Sequence, residues 1–528
     1  MMKPILYRQK WHKLRESKVD AAALRQLARQ IAFSFTDQYF QRGEYQSEYI
    51  DLLCEMATFY SQNTINDIAA KALFELVVET VGDEFEDFPP EVYCRLTTQI
   101  IAHGRSVPAG RNLDSELADL GLLSTDHLYR RALAVQTRLD RYRVGEAPSS
   151  IVLLSHGTIG ADVAILSVMI QRLGKLFGQT PILIVDSAKL QSLFDGVPSV
   201  RIVEPNHARR DGLFERLGPW HATLEILRDE TPDGGRGRTL IIDADSPVCL
   251  HGVLPLSDED NYLFFNTRGT SLPSTHVSLA ERTNAWMDGA FGVADFCCPQ
   301  VWMPRAVMET ASVRTDMLRA TGAQRLVAVN FGTGQHPRKR INLEFEKRLI
   351  RALAAVPGTV VILDRGFGPD EVGRSMQLVG DIRGRGLPCL ETQFGGANFP
   401  AIAHGVIVVE STIGQMAALI AHSDEYIGYD SAFQHIAAAT KTPTTTIFAG
   451  SNNTRFVRQW SAYGDTECRI VHIDTLADPS RVDLDEAISR VVQDRPGRTR
   501  RRPGQRIDAV DRRRHASRPT PERVEEKR

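Results

Sequence analysis

Beyond residue 150 the chain alternates short apolar runs with amphipathic stretches, and it does so twice. The first series of apolar runs falls at 151–154, 181–185, 200–203, 240–242 and 262–265, with a helical stretch at 162–176. The second falls at 326–330, 360–363, 406–409, 426–429, 444–448 and 469–472, with helical stretches at 343–355, 414–421 and 433–440. Such runs read as strands, and strands alternating with helices give a mostly parallel, doubly wound sheet. Two series of similar length, joined near 305–322, predict an α/β protein with two Rossmann-like domains facing across a cleft. Open sheets bind ligands at the carboxyl ends of their strands, so a cleft between two of them is the expected ligand site.

The first 145 residues have a different period. Leu24, Leu27 and Ile31 share one helical face; Ile50, Leu53 and Met56 share another. Ile65, Ile68, Ala72 and Leu76 continue the pattern, and Leu128, Val135, Leu139 and Tyr142 repeat it. DEFEDFPP at 83–90 reads as a loop, and GEAPSS at 145–150 marks the change from helix to strand. The expected organisation is a helical accessory domain over 1–148, a first Rossmann-like domain over 149–320, a second over 321–494, and an unfolded tail over 495–528.

The tail carries 12 Arg and 1 Lys against 5 Asp and Glu, a net +8; the chain's total of −2 leaves −10 for the rest. With few apolar residues it cannot bury enough surface to fold alone, but it can contact an anionic membrane surface. No specific nucleic-acid partner is expected. The remaining composition, 42% hydrophobic and 24% charged, is that of an ordinary soluble protein. No apolar run reaches the roughly 18–20 residues a membrane span needs. The opening MMKPILYRQKWHKLRE lacks the apolar core of a secretory signal. Seven scattered cysteines form no CxxC or zinc spacing, which favours reduced thiols and a cytoplasmic setting.

Five segments carry candidate chemistry. In SDEYIGYDSAFQHIAAATKTPTTTIFAGS (423–451), a strand runs into Asp430-Ser431, a helix carries His435 and the small residues Ala437–Ala439, and a Pro-led strand ends in Gly450. A helix start holds free N–H groups and partial positive charge, so this turn suits a diphosphate. In SHGTIGADV (155–163), Gly157 and Gly160 allow close backbone approach. Asp162 there serves either as a general base for a substrate hydroxyl or as a helix cap, and His156 is a rival base. In NFGTGQHPRKRINLEF (330–345), a loop containing Gly332 meets Arg338, Lys339 and Arg340, cations that can neutralise a departing diphosphate. In LDRGFGPDE (363–371), Asp370 or Glu371 can bind the two hydroxyls of a ribose. In TLIIDADSP (239–247), Asp243 and Asp245 could in chemical principle bind a divalent metal, but the two-domain reading sets them on the acceptor side or within the framework.

Taken together, these segments resemble the ADP-heptose:lipopolysaccharide heptosyltransferases, glycosyltransferase family nine, which have the GT-B fold. Asp430, Ser431, His435, Ala437, Ala438, Pro443 and Gly450 fit that family's nucleotide-binding signature, with Ala432 in place of a glycine. The resemblance extends over about 150–475, through LFDGVPSVRIVE (193–204) and the segments around Asp162, Lys339 and Asp370-Glu371. It implies inverting, metal-independent transfer of a sugar, by family default a heptose from ADP-heptose, to a hydroxyl acceptor such as a lipopolysaccharide core or other glycan. Asp162 would take the acceptor's proton. Lys339 and Arg340 would hold the leaving diphosphate, and Gly332, Asp370, Glu371, Asp430, Ser431, Ala432 and His435 would line the donor site. His156, Asp243 and Asp245 would face the acceptor. No cofactor beyond the nucleotide sugar is implied.

Three departures, Ala432, the inserted Ala161, and Ile341-Asn342 where Trp-Pro is usual, leave a second reading: a catalytically weak nucleotide-sugar binder or scaffold. A nucleotide-sugar epimerase is a third. The chain lacks GxxxxGK[ST], HExxH and GxSxG, so P-loop, zinc-protease and α/β-hydrolase chemistry have no support.

Overall fold

A computed structural model describes residues 2–17, 19–82, 89–137, 141–142, 147–186, 188–206, 212–235, 237–257, 259–268, 278–334, 336–397, 399–476 and 481–493. The chain opens with helices α1 (Pro4–Arg15), α2 (Ala21–Arg42), α3 (Ser47–Met56) and α4 (Asn63–Leu73), the last running through a π turn at Phe74–Val78 into α5 (Glu79–Val81). Helices α6 (Pro90–Ser106), α7 (Arg111–Asp119) and α8 (Thr125–Thr137) follow. Of the loop expected at 83–90, residues 83–88 lie outside the described residues, and Pro90 is already the first residue of α6. Leu139 and the 495–528 tail also lie outside them.

The first sheet has the order β3-β2-β1-β4-β5, with every neighbouring pair parallel. Its strands are β1 (Ser150–Leu154), β2 (Ile182–Val185), β3 (Val200–Val203), β4 (Thr239–Asp243) and β5 (Tyr262–Phe264). Helices α9 (Ile159–Phe177), α10 (Gln191–Phe194), α11 (Leu213–Glu230) and α12 (Leu279–Phe291) accompany it. The expected junction between the halves is itself a helix, α13 (Arg305–Ala320).

The second sheet has the order β12-β11-β10-β6-β7-β9-β8, again parallel throughout. It is built from β6 (Arg325–Asn330), α14 (Leu343–Ala354), β7 (Thr359–Asp364), α15 (Gly368–Gly384), β8 (Cys389–Gln393), β9 (Gly405–Glu410), α16 (Ile413–Ala421), β10 (Glu425–Tyr429), α17 (Ala432–Ala439), β11 (Thr444–Phe448), α18 (Thr454–Gln459), β12 (Cys468–His472) and α19 (Leu484–Val492). Strand β8 was not expected. It is the edge strand, and Leu390, Glu391 and Gln393 are exposed, so it lacks the apolar signature of its buried neighbours.

Strand alternation sorts the apolar side chains into three cores. Because successive side chains point to opposite faces, Val152 and Leu154 join Leu183, Val185 and Ile241 in a core shared with α1–α8 and α11. Ile151 and Leu153 turn the other way, into a core that also takes Leu326, Ala328, Val360 and Ile362 from the second sheet. Val327, Val329, Val361 and Leu363 face a third core with α14, α15 and α19. The amino-terminal helices are therefore the cover of one face of the first sheet, and α9, α12, α16 and α17 are packed between the two sheets. Among the described residues no helix is long and apolar enough to cross a membrane.

Candidate functional site

In each sheet the strand order reverses beside its first strand, and ligands of doubly wound sheets bind outside the carboxyl ends at that point. The reversal lies between β1 and β4 in the first sheet and between β6 and β10 in the second. The four segments that follow these strands carry His156 with Asp162 in the first turns of α9, Asp245 just after Asp243 at the end of β4, Lys339 and Arg340, and Asp430 and Ser431. The two switch points touch. A Cβ built on Gly160, in the first turn of α9, would lie 2.9 Å from His435 Cδ2 and 3.2 Å from Ala432 Cα, at the start of α17.

Both helices begin without a side-chain cap, at Thr158 and at Ser431. His435 Nε2 is buried without a hydrogen-bond partner. Burial, then the charge of Lys339, pushes the His435 imidazole down to about 3, so it is neutral near pH 7. Lys339 Nζ lies 2.7 Å from Asp430 Oδ2, and the other Asp430 oxygen accepts Gln434 Nε2 at 2.6 Å. Two helix ends carrying orphan N–H groups, with an ammonium beside them, form a setting for an anion. Of the three clustered cations, only Lys339 ends at this corner. Arg338 is exposed, and Arg340 turns away to Glu371 Oε1 at 3.4 Å and Asp370 Oδ2 at 3.7 Å.

The Arg340 side is a separate crevice with space for about one water, ≈ 20 Å³, lined by Gly332, Asp364, Gly366, Glu371 and Arg374 among others. Glu371 Oε2 accepts the backbone N–H of Phe367 at 2.9 Å, so this carboxylate braces the turn into α15. The Asp370 side chain is 94% exposed. Asp364, at the end of β7, is pushed up to about 6 by burial and accepts Asn330 Nδ2 at 2.6 Å.

Asp162 is completely buried. Its Oδ2 accepts Ser155 Oγ at 2.8 Å and its Oδ1 accepts the His156 N–H at 2.9 Å, while Ser155 Oγ accepts the Gly157 N–H. Gly157 has φ +92°, which a side chain would strain, so Asp162 and Gly157 together shape the loop after β1. Burial, reinforced by Asp186, raises the Asp162 pKa well above the usual carboxylate range. His156 itself is only partly buried.

Asp243 and Asp245 both have internal partners. Asp243 accepts Tyr262 Oη at 2.5 Å and the Ser246 N–H at 2.6 Å, and burial pushes it up to about 7. Asp245 has φ 59° and receives Arg268 on both oxygens, Nη2 at 2.9 Å and Nε at 3.0 Å, together with Thr267 Oγ1 at 2.6 Å. Burial disfavours its charge, but Arg268, then His251, hold it below the usual carboxylate range. Among the described residues no group of three or more His, Cys, Asp or Glu is placed to hold a metal ion.

Comparison with known proteins bears on this corner. The family Glycosyltransferase family 9 (heptosyltransferase) matches residues 405–484. The corner at Asp430–His435 lies within the residues that this family matches. No curated protein matches the chain. Among solved structures, a family 9 glycosyl transferase from Veillonella parvula is 14% identical, with 66% of this chain and 91% of that one covered and a TM-score of 0.43. The ADP-heptose LPS heptosyltransferase II of E. coli is 13% identical, with 65% and 99% covered and a TM-score of 0.41. E. coli heptosyltransferase WaaC with ADP is 13% identical, with 61% and 93% covered and a TM-score of 0.40.

The family 9 segment runs from β9 to the first residue of α19 and contains Asp430, Ser431, Ala432 and His435. Lys339, Arg340, Gly332, Asp370, Glu371 and all the first-sheet candidates lie outside it. Sequence reasoning missed Trp460, Thr267 and Arg268. Trp460 closes α18 with its ring centroid 6.0 Å from that of His156 and 6.4 Å from that of His435, so it spans the two halves. The signal available was a tryptophan at the end of a largely polar stretch, NNTRFVRQW. Thr267 and Arg268 had no motif around them; only the fold brings them to Asp245.

Proposed function

We propose that the chain transfers a sugar from a nucleotide-sugar donor to a hydroxyl acceptor, by an inverting, metal-independent displacement. The observation that carries this reading is the meeting of two uncapped helix starts beside Lys339, one of them inside the family 9 segment. A donor diphosphate would compete with Asp430 for Lys339 and accept the free N–H groups at the start of α17. Asp370 or Glu371, both beside Arg340, is the carboxylate that would bind the ribose hydroxyls. The loop after β1 supplies the group that removes the acceptor's proton, Asp162 or His156. ADP-heptose is the first donor to try, because the matching family is a heptosyltransferase family. The acceptor is read as a glycan or lipid-linked glycan, and the setting as the cytoplasm.

The complete burial of Asp162 favours a second reading, a nucleotide-sugar binder that turns over slowly or not at all. One experiment separates the two. Thermal shifts with ADP, GDP, UDP and CDP test binding, and release of ADP from ADP-heptose tests turnover. Lys339→Ala should weaken ADP binding by about tenfold or more, the worth of a charge-assisted contact. A shift for ADP that is unchanged by Lys339→Ala would reject the phosphate corner.

A further inference from the structure

The amino-terminal helices cover the first sheet with their buried side. Their outward side differs from the rest of the surface in two ways. Among the described residues, six of the sixteen large apolar side chains left exposed fall in the first sixty positions: Ile5, Leu6, Val19, Phe33, Phe40 and Phe59. Single exposed apolar residues are ordinary, whereas a group of them on one surface marks a contact. Charge gathers in the same segment. Residues 1–42 hold nine Lys and Arg against three Asp and Glu, a net +6. With +8 in the tail and −2 for the whole chain, residues 43–494 are left with −16.

Helix packing puts both features on one side. Tyr49 Oη, at the start of α3, donates to the Met2 carbonyl at 2.9 Å, while Trp11 Nε1 and Arg15 Nη1 reach Glu55 near its end, so α1 runs parallel to α3. Helix α2 turns back into α3 through residues 43–46 and packs along it, so α1 and α2 are antiparallel. Tyr7 Oη meets Ser34 Oγ at 2.9 Å between them. In an antiparallel pair the residues just before these contacts, Leu6 and Phe33, turn to the same side. Lys10 and Lys13 follow Leu6 by one and two turns; Arg29 lies one turn before Phe33 and Phe40 two turns after it. All six side chains are exposed. The Arg29 guanidinium lies 5.6 Å from the Phe33 ring centroid, so charge and apolar surface adjoin. Asp37 is an exposed acid on this side of α2, and Glu16 is another just past the end of α1. Asp20 is occupied with the N–H groups of Ala22 and Ala23, and Arg8 and Arg15 are paired with Glu55.

We infer that this face of α1 and α2 docks on an anionic lipid bilayer, with Lys10, Lys13 and Arg29 on the headgroups and Leu6, Phe33 and Phe40 in the apolar boundary below them. Charge chooses the occupant. A second copy brought to this face by a two-fold axis sets like charge against like, and the chain's own basic tail is repelled in the same way. A nucleic acid answers the cations and leaves the apolar side chains in water. A layer with an anionic outside and an apolar inside answers both. The inference adds a surface to the transferase reading and does not depend on it.

The test uses the full chain and co-sedimentation with vesicles of phosphatidylcholine, alone or mixed with phosphatidylglycerol. The parent should sediment with the mixed vesicles, come off in high salt, and ignore phosphatidylcholine alone. Lys10→Glu combined with Lys13→Glu should weaken this binding by about tenfold or more. Phe33→Ser combined with Phe40→Ser should weaken it by about tenfold as well, with the charge left intact. All four positions are exposed, and melting curves equal to the parent's show that both variants are folded. Binding by the lysine variant within about threefold of the parent overturns the inference and gives the contact to other cations, the tail's included. Binding by the phenylalanine variant within the same margin removes the apolar half and overturns it too. A parent that ignores both kinds of vesicle overturns it outright; if that parent is dimeric by light scattering and the phenylalanine variant is monomeric, the face belongs to a second copy.

Discussion

Single residues divide here into those whose chemistry the sequence displays and those whose role depends on a partner elsewhere in the chain. Asp430, Ser431 and His435 stand out as candidates because they lie together at one helix start, and Lys339 because it sits in a basic cluster after a strand. The choice of Lys339 over Arg338 and Arg340 was not legible, since it depends on which side chain reaches β10 across the sheet. Asp245 shows the same limit: beside Asp243 it resembles a metal-binding pair, yet Arg268, twenty-three positions later, consumes both its oxygens. Arg268→Ala leaves that buried carboxylate with Thr267 and His251 but without its cation, which should cost about 3–5 kcal/mol of stability; denaturant unfolding measures it, and a loss under about 1 kcal/mol would deny the pair that role. His435 makes a prediction in pH. Its folded pKa is about 3, whereas an unfolded histidine titrates near 6.5, so the unfolded chain binds the extra proton between those values. His435 thus opposes unfolding fully above about pH 6.5, and the native state loses up to about 1.4 kcal/mol per pH unit as the pH falls toward 3. Asp162 and Asp243, whose pKa values are raised, act in the opposite direction. The comparison to make is therefore melting temperature against pH for the parent and His435→Gln; equal slopes between pH 6.5 and 4 would contradict the assignment.

Among the elements, the decisive contact is between α9 and α17. Each has the small residues that a close approach demands, Gly160 and Ala161 on one and Ala432 and Ala437 on the other. The sequence displayed those residues but not their pairing, because nothing local links a turn after β1 to a turn after β10. Gly160→Ala gains about 0.5–1 kcal/mol from the lower chain entropy of alanine in a helix. The new methyl collides with His435 Cδ2 and the Ala432 backbone, and overpacking costs about 1–3 kcal/mol. The second term wins, so the variant should melt lower and bind ADP more weakly, read by thermal shift with and without ADP. A variant as stable as the parent with the same ADP shift would show that the two helix starts are free to separate. The strands were legible nearly to their ends, since buried parallel strands are continuous apolar runs; β8 escaped because an edge strand need not be apolar.

At the scale of the whole molecule, the amino-terminal helices were expected as an accessory domain, and their helical period was correctly readable. Their attachment was not. They bury Val152, Leu154, Leu183, Val185 and Ile241 of the first sheet in one core, and through Tyr93 and Gly82 they reach Arg268. A chain starting at residue 149 would expose that face of β1, β2 and β4 to water. It should aggregate or remain unfolded, as judged by size exclusion and circular dichroism; a soluble, folded product would show that the helices are separable. The sequence alone determined the two α/β series, the helix start after Ser431 and the resemblance that it carries, because strand period, helix starts and turn residues are local properties of the chain. Tertiary structure alone decided which cation meets Asp430, that Asp162 is sealed inside, and that Arg268 and Thr267 close on Asp245. Those facts depend on contacts between residues far apart in the chain, and only the packing of the two sheets brings them within hydrogen-bonding reach.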